Sequence, residues 1–209
     1  MNTDNLIIGI VNHRYANIHS VKKALNFINC KHIELNKPSD FSKVDAIILP
    51  GVGAFDAAMQ VLNRSGMTES LKNENHKQTP IFGICLGMQL LFEKSEEGSE
   101  KGLGLIEGNV KKIIQIDGIK IPHMGWNKTY YQNKSNIFKN IKNESFFYCV
   151  HSYECIPLNK SIISSYTSYG NKICSSVDNG NIIATQFHPE KSGTNGIKLY
   201  KNFTERLAK

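Results

Sequence analysis

The stretch PIFGICLGMQLLFE, residues 80–93, decides the fold, because an apolar run passes there directly into a helical pattern. Cys85 lies at the transition, between Gly83 and Gly87. This G-x-C-x-G pattern has the form of a nucleophile elbow, a strained turn from strand to helix where bulky neighbours would clash. The turn exposes the sulfur beside the amino end of the helix, where the dipole and free N–H groups favour a thiolate. The pattern therefore predicts that Cys85 is a nucleophile and that the Leu86 N–H faces a developing oxyanion. Taken alone, the same glycines are also consistent with an ordinary turn.

On the amino-terminal side of this elbow, short apolar runs alternate with helical patterns. The predicted strands are residues 6–11, 31–35, 44–51 and 81–85, and the predicted helices are residues 17–28, 55–62, part of 68–77 and 86–94. Alternation of strand and helix is typical of a parallel sheet with helices on both faces.

Beyond Gly102 the pattern changes to strand-like pieces in close succession. The pair Asn179-Gly180 is a strong hairpin signal between two of them. This half is predicted to be largely antiparallel and either to extend the first sheet or to pack beside it, before an amphipathic helix at about 195–208. We expect a single domain, 1–209, of the α/β class, with an open, mostly parallel sheet flanked by helices and an antiparallel C-terminal part.

Composition narrows the function classes. The chain has 209 residues and a formal charge of +7, but its lysines are scattered without the basic stripe and interleaved aromatic residues of a nucleic-acid site. No apolar run approaches the roughly 18 residues of a membrane span, and no signal peptide is evident. The five cysteines lack C-x-x-C spacing, which argues against a disulfide framework or a zinc site. We expect a cytoplasmic protein with no metal, cofactor, nucleic-acid partner or membrane partner.

A cysteine nucleophile needs a base, and the stretch ATQFHPEKS, residues 184–192, offers one. His188 and Glu190 are two residues apart at the end of an apolar strand, so their side chains should project from one face. Glu190 would then bond one imidazole nitrogen and leave the other for Cys85. By itself the pair could be a structural histidine beside a solvated glutamate, but with the elbow present we favour a catalytic triad.

A second oxyanion donor is expected from another strand end. The stretch LPGVGAF, residues 49–55, is suited to this, because Pro50 stops the strand and Gly51 and Gly53 let the backbone approach a substrate. A tight turn into the next helix is the alternative, and both can hold at once.

Six segments together identify a family: LPGVGAF, GICLGMQLLFE, GLGLIEGNV, KIPHMGWN, FYCVHSY and QFHPEKS. In this order and spacing, nearly from end to end, the chain resembles the triad-type (class I) glutamine amidotransferases. Within that family it is most similar to the glutaminase subunits of imidazole glycerol phosphate synthases, which supply ammonia for histidine biosynthesis.

The resemblance implies that Cys85 attacks the side-chain amide of glutamine, His188 transfers protons and Glu190 orients His188. The thioester is then hydrolysed to glutamate. Further roles are implied for a set of pocket residues. Val52 and Leu86 would form the oxyanion hole, and Gly51, Gly53, Gln89, Ser152 and Tyr153 would bind the substrate.

The resemblance also implies a heterodimer with a synthase (cyclase) subunit, contacted by Asn17, Trp126 and Lys191. One segment departs from the family pattern: residues 12–17, NHRYAN, replace an aspartate-tyrosine-glycine-like sequence that ends in Gly-Asn. The departure leaves the glutaminase interpretation intact but leaves the partner open, so the chain could instead serve a related synthase that aminates a sugar for cell-surface polysaccharide. Two alternatives from other classes are a non-catalytic binding relative, against which the intact Cys85, His188 and Glu190 argue, and a cysteine peptidase, which would need an open groove.

Overall fold

The computed structural model describes residues 6–131 and 135–207, so Ala208 at the end of the predicted last helix lies outside the described residues. The strands are β1 Ile7–Val11, β2 Lys31–Leu35, β3 Ala46–Gly51, β4 Ile81–Cys85, β5 Lys94–Ser95, β6 Gly108–Lys112, β7 His123–Tyr131, β8 Ser145–His151, β9 Tyr153–Pro157, β10 Ile163–Tyr169, β11 Asn171–Asn179 and β12 Ile182–Thr185. The α-helices are α1 Ile18–Phe27, α2 Phe55–Arg64, α3 Met67–His76, α4 Leu86–Leu90 and α5 Gly193–Leu207.

One large sheet organises the chain, with the strand order β2-β1-β3-β4-β12-β11-β10-β7-β8. The strands from β2 to β12 in this order are parallel neighbours, and those from β12 to β8 are antiparallel. The predicted hairpin at Asn179-Gly180 is confirmed, since it joins β11 to β12. The antiparallel half therefore extends the first sheet, as one of the two predicted arrangements requires.

Alternate residues of the central strands enter two separate cores. In β4, Ile81 packs on the face covered by α2 and α3, whereas Phe82 and Ile84 pack on the opposite face. That second face is covered by α1 and α5, which contact each other across it. Burial on both faces explains why the central parallel strands β1, β3, β4 and β12 have nearly continuous apolar sequences.

A smaller sheet, β5-β6-β9, lies beside the large one, so the other predicted arrangement occurs as well. It also accounts for one wrong prediction. The helix expected over residues 86–94 ends at Leu90, because backbone N–H groups of residues 102–105 donate to the carbonyls of residues 90–93. Gly102 allows this approach, since a Cβ there would lie 2.0 Å from the Phe92 carbonyl oxygen.

None of the helices in the described part of the chain has both the length and the apolar character that a membrane crossing needs.

Candidate active site

Cys85 ends β4 with φ of 54° and ψ of −110°, a backbone conformation that residues with a side chain rarely adopt. Such strain costs about 1–3 kcal/mol and persists only where the surrounding structure enforces it. The flanking glycines allow the packing that enforces it. A Cβ on Gly87 would lie 1.7 Å from the Leu49 carbonyl oxygen, and one on Gly83 would lie 2.8 Å from a methyl group of Leu91.

His188 and Glu190 meet as predicted, but through a different local structure. Nδ1 of His188 lies 2.7 Å from Oε1 of Glu190, and both side chains are buried. β12 ends at Thr185, so the prediction that both residues continue a strand was wrong. Pro189 instead begins a 3₁₀ turn over Pro189–Lys191, and this turn brings the carboxylate back to the imidazole.

The second nitrogen of His188 is available to Cys85. Nε2 is buried, and no residue in the described ranges gives it a hydrogen bond of normal geometry. Burial lowers the pKa of His188, but the negative charge of Cys85 and the contact with Glu190 outweigh burial and raise this pKa to about 10. Cys85 therefore acts on His188 through its charge, although the two side chains do not form a hydrogen bond of normal geometry. Long or poorly aligned contacts of this kind are common in catalytic sites without substrate.

A cavity of about 260 Å³ opens beside these groups. It is lined by Val52, Gly53, Cys85, Leu86, Gln89, Glu97, Pro122, Val150, His151, Ser152, Tyr153 and His188. All but one of the residues expected to bind substrate are in this lining. The exception is Gly51, which packs against α4, where a Cβ would lie 2.8 Å from Cβ of Leu86.

The loop after β3 is held on both sides of Gly51 by the segment after β1. The Val52 N–H donates to the Tyr15 carbonyl over 2.7 Å. Nε2 of the fully buried His13 donates to the Pro50 carbonyl, also over 2.7 Å. The expected oxyanion donor of Val52 is therefore engaged elsewhere in this conformation.

Two of the three residues expected at a partner interface, Trp126 and Lys191, are connected to His188 through the ring of Tyr148. Trp126 is 55% exposed on β7. Its ring packs edge-on against Tyr148, at 6.2 Å between centroids, and Tyr148 lies 6.5 Å from the His188 ring. The exposed Lys191 places Nζ 5.8 Å from the Tyr148 ring centroid. Asn17 caps α1 by accepting the Ser20 N–H.

His123, Cys149 and His151 form a buried cluster compact enough for a metal ion. Its hydrogen bonds, however, assign every ring proton. Nδ1 of His151 faces the Tyr153 carbonyl at 2.8 Å, so it carries a proton and leaves Nε2 to accept from Nδ1 of His123, 3.0 Å away. The Asn127 amide donates to Nε2 of His123. Because the nitrogens that face each other already share a proton, the cluster is a polar network and a poor metal site.

Two residues of the site were missed by sequence reasoning. Glu97 lies in a loop without any motif, yet it lines the cavity and accepts the Phe55 N–H over 2.8 Å. Gln186 lies inside the ATQFHPEKS stretch, where the histidine and glutamate drew attention. Its amide touches the Cys85 sulfur at 3.7 Å.

Known proteins are similar to this chain in sequence and in fold. Residues 3–207 match the family described as glutamine amidotransferase class-I. A protein of Synechococcus sp. (strain JA-3-3Ab) named imidazole glycerol phosphate synthase subunit HisH is 39% identical over 204 residues, covering 97% of this chain and 94% of that protein. The protein of the same name from Chlorobium luteolum (strain DSM 273 / BCRC 81028 / 2530) is 42% identical over 201 residues, covering 95% of this chain and all of that protein, 100%.

A solved structure described as PurLQS from Thermotoga maritima superposes with a TM-score of 0.76 at 17% identity. The match covers 97% of this chain and 99% of that chain, and it supports the fold alone. The chain belongs to the class I glutamine amidotransferase family.

Proposed function

We propose that this chain is the glutaminase subunit of an imidazole glycerol phosphate synthase and supplies ammonia to a synthase (cyclase) partner in histidine biosynthesis. The observation that supports this chemistry is the arrangement of three side chains. Cys85 and His188 line a small cavity, and Nδ1 of His188 lies 2.7 Å from Oε1 of Glu190. The names of the similar proteins support the pathway, and they do not favour the alternative of sugar amination.

The reaction follows from these groups. The Cys85 thiolate attacks the amide carbon of glutamine, and the carbonyl electrons move onto oxygen. When this oxyanion collapses, the C–N bond breaks and the His188 imidazolium gives its proton to the leaving ammonia. Neutral His188 then takes a proton from water, which attacks the thioester and releases glutamate and the thiolate. Glu190 holds the imidazole and stabilises its charged form.

The cavity suits a single amino acid. Its volume of about 260 Å³ is below the roughly 300–1,000 Å³ of pockets for drug-sized ligands, which favours glutamine over a peptide. Among the described residues that line the cavity, Glu97 alone has a carboxylate side chain. Its negative charge suits the α-ammonium group of glutamine. Gln89, Ser152 and Tyr153 supply polar groups to the rest of the substrate.

The loop after β3 provides a way to keep the isolated subunit slow. While the Val52 N–H donates to Tyr15, the Leu86 N–H is left to stabilise the oxyanion without it. One missing donor costs about 10²–10³ in rate. We therefore expect that the partner favours a second conformation in which the Val52 N–H turns towards the oxyanion. Of the two contacts that hold this conformation, the one from His13 is made by a side chain of segment 12–17, which departs from the family pattern, whereas Tyr15 contributes its main-chain carbonyl.

The partner surface is proposed to include Trp126, Lys191 and Asn17. Trp126 and Met124 expose apolar side chains from the same face of β7, and Lys191 adds a positive charge beside Tyr148. Aromatic residues are enriched at the centres of protein interfaces. We place the reaction in the cytoplasm, because all five cysteines are free thiols, which suits a reducing compartment.

Covalent trapping tests the chemistry without a partner. A glutamine analogue carrying a diazoketone should alkylate Cys85, located by peptide mass spectrometry, and free glutamine should slow the reaction. The Cys85→Ala variant is the matched control and should take up no label. Label on Cys149 or Cys174 with Cys85 spared would contradict the proposal.

A further inference from the structure

We propose that Gln186 is part of the reacting centre, where its side-chain amide donates an N–H to the Cys85 thiolate and also fixes the amide of Gln89. Gln186 is almost completely buried. Its Nε2 lies 3.7 Å from Sγ of Cys85, and its Oε1 lies 3.1 Å from Nε2 of Gln89. This inference rests on the proposed role of Cys85 as nucleophile.

The orientation of both amides follows from a group that can only accept. Gln89 places the same nitrogen 3.4 Å from the Tyr153 carbonyl oxygen, so the atom there must be the NH₂ group. That NH₂ group then requires an acceptor from Gln186, which must be Oε1. The thiol of Cys155 approaches the same Oε1 at 4.0 Å. The remaining end of the Gln186 amide, which faces Cys85, is therefore the donor.

A donor at this place acts on the charged form of the nucleophile. Hydrogen bonds to a charged group favour its ionisation. The uncharged thiol has another partner, because Sγ can donate to the Val150 carbonyl over 3.8 Å. Once Cys85 is a thiolate, it has no proton to donate to this carbonyl. The sulfur is then stabilised by the N–H group of Gln186 and by the positive charge of protonated His188. Gln186 also supports the thiolate when it leaves the thioester.

The effect of the Gln186 donor on the ionisation of Cys85 can be measured as a pH profile of Cys85 reactivity, provided that the other titratable groups nearby are known. His188 faces the sulfur from the turn after β12, Cys149 from β8 and Cys155 from β9. Burial raises the pKa of Cys149 to about 12, and burial also raises the pKa of Cys155. His151 and Glu97 also line the cavity beside Cys85, and burial lowers the pKa of His151 to about 3. The two thiols and His151 therefore stay neutral between pH 5 and about 9, so a change of the profile caused by a variant at position 186 is read from Cys85 and His188.

The experiment measures the rate of Cys85 alkylation by iodoacetamide from pH 5 to 9, by peptide mass spectrometry, together with glutaminase kcat and KM of the complex with the synthase subunit. Gln186→Met keeps the length of the side chain without a donor, and Gln186→Glu keeps its shape but presents acceptors. Thr185→Val is the matched control, because Thr185 is buried next to Gln186 and its hydroxyl donates to the Phe187 carbonyl over 3.1 Å, away from Cys85.

We expect Gln186→Met to move the alkylation profile to higher pH and to lower kcat about tenfold to hundredfold, the range that one hydrogen bond to a charged group supports. Gln186→Glu should move the profile further, and Thr185→Val should leave it in place. A folded Gln186→Met protein with an unchanged profile and kcat would overturn the inference. If Cys85→Ala kept its turnover, the proposed function would fail instead.

A second readout needs no variant at position 186. In ¹⁵N-labelled wild-type protein, methylthiolation of Cys85 removes the thiolate and should move one glutamine side-chain NH₂ resonance, whereas the same reagent on Cys85→Ala should move none. Unmoved glutamine resonances after complete modification of Cys85 would also overturn the inference.

Discussion

At the scale of residues, the site combines a strained cysteine, the proposed nucleophile, with a buried pair of His188 and Glu190. Cys85 keeps its left-handed φ of 54° because Gly83 and Gly87 let neighbouring elements close around it. His188 is buried between Cys85 and Glu190, and the negative charge of Cys85 raises its pKa despite burial. An imidazole so placed can hold a proton until ammonia is ready to leave.

The members of the triad should contribute unequally. His188→Ala removes both proton transfers, so we expect a loss of about 10⁴ or more in kcat for the complex with the synthase subunit. Glu190→Gln keeps a hydrogen-bonding group but no charge, and it should cost about tenfold to hundredfold less than His188→Ala. Steady-state glutamate production measures both. A Glu190→Gln enzyme as active as the wild type would rule out the orienting role of Glu190.

At the scale of elements, prediction from the sequence worked where the determinants are local. β4 has the predicted bounds, 81–85, because a continuous apolar run marks a strand that is buried on both faces. β2 also has its predicted bounds, 31–35, although it is an edge strand in which only Leu35 is fully buried. The helix after Cys85 could not be bounded, because distant residues 102–105 take its last carbonyls. Cys85, His188 and Glu190 have residue types and spacing that suggest chemistry. Gln186 has no such signal, since only the fold brings its amide to the sulfur.

The contact between β7 and β8 should make stability depend on pH. Burial lowers the pKa of His123 to about 4 and that of His151 to about 3. The unfolded chain takes up these protons near pH 6.5, before the folded chain does. The free energy of unfolding should therefore fall as the pH drops from about 6.5 towards 4.

The variant His123→Asn tests this pH dependence, because it keeps a donor near Nδ1 and removes one titrating group. Urea unfolding at several pH values should show a slope up to about 1.4 kcal/mol per pH unit smaller than in the wild type. Equal slopes in the two proteins would show that His123 does not remain neutral in the folded state.

At the scale of the whole molecule, the sheet brings distant segments to one edge. β3, β4 and β12 are neighbours, so the loop with Val52, Cys85 and the His188 turn meet at their carboxyl ends. The segment after β1 reaches the same edge and binds the loop through Tyr15 and His13. Trp126 and Tyr148 connect this edge to exposed surface. A partner bound there can act on the loop and the triad together.

The most direct test of this account is glutamate formation from glutamine by three preparations. These are the isolated chain, its complex with the synthase subunit and the nucleotide ligand of that subunit, and the same complex with Cys85→Ala. We predict that the complex is faster than the isolated chain by about 10²–10³, the effect of one oxyanion donor, and that Cys85→Ala abolishes turnover. Equal rates for the isolated chain and the complex, at the level of a competent amidase, would contradict gating by the Val52 loop. Undiminished turnover by Cys85→Ala would contradict the account as a whole.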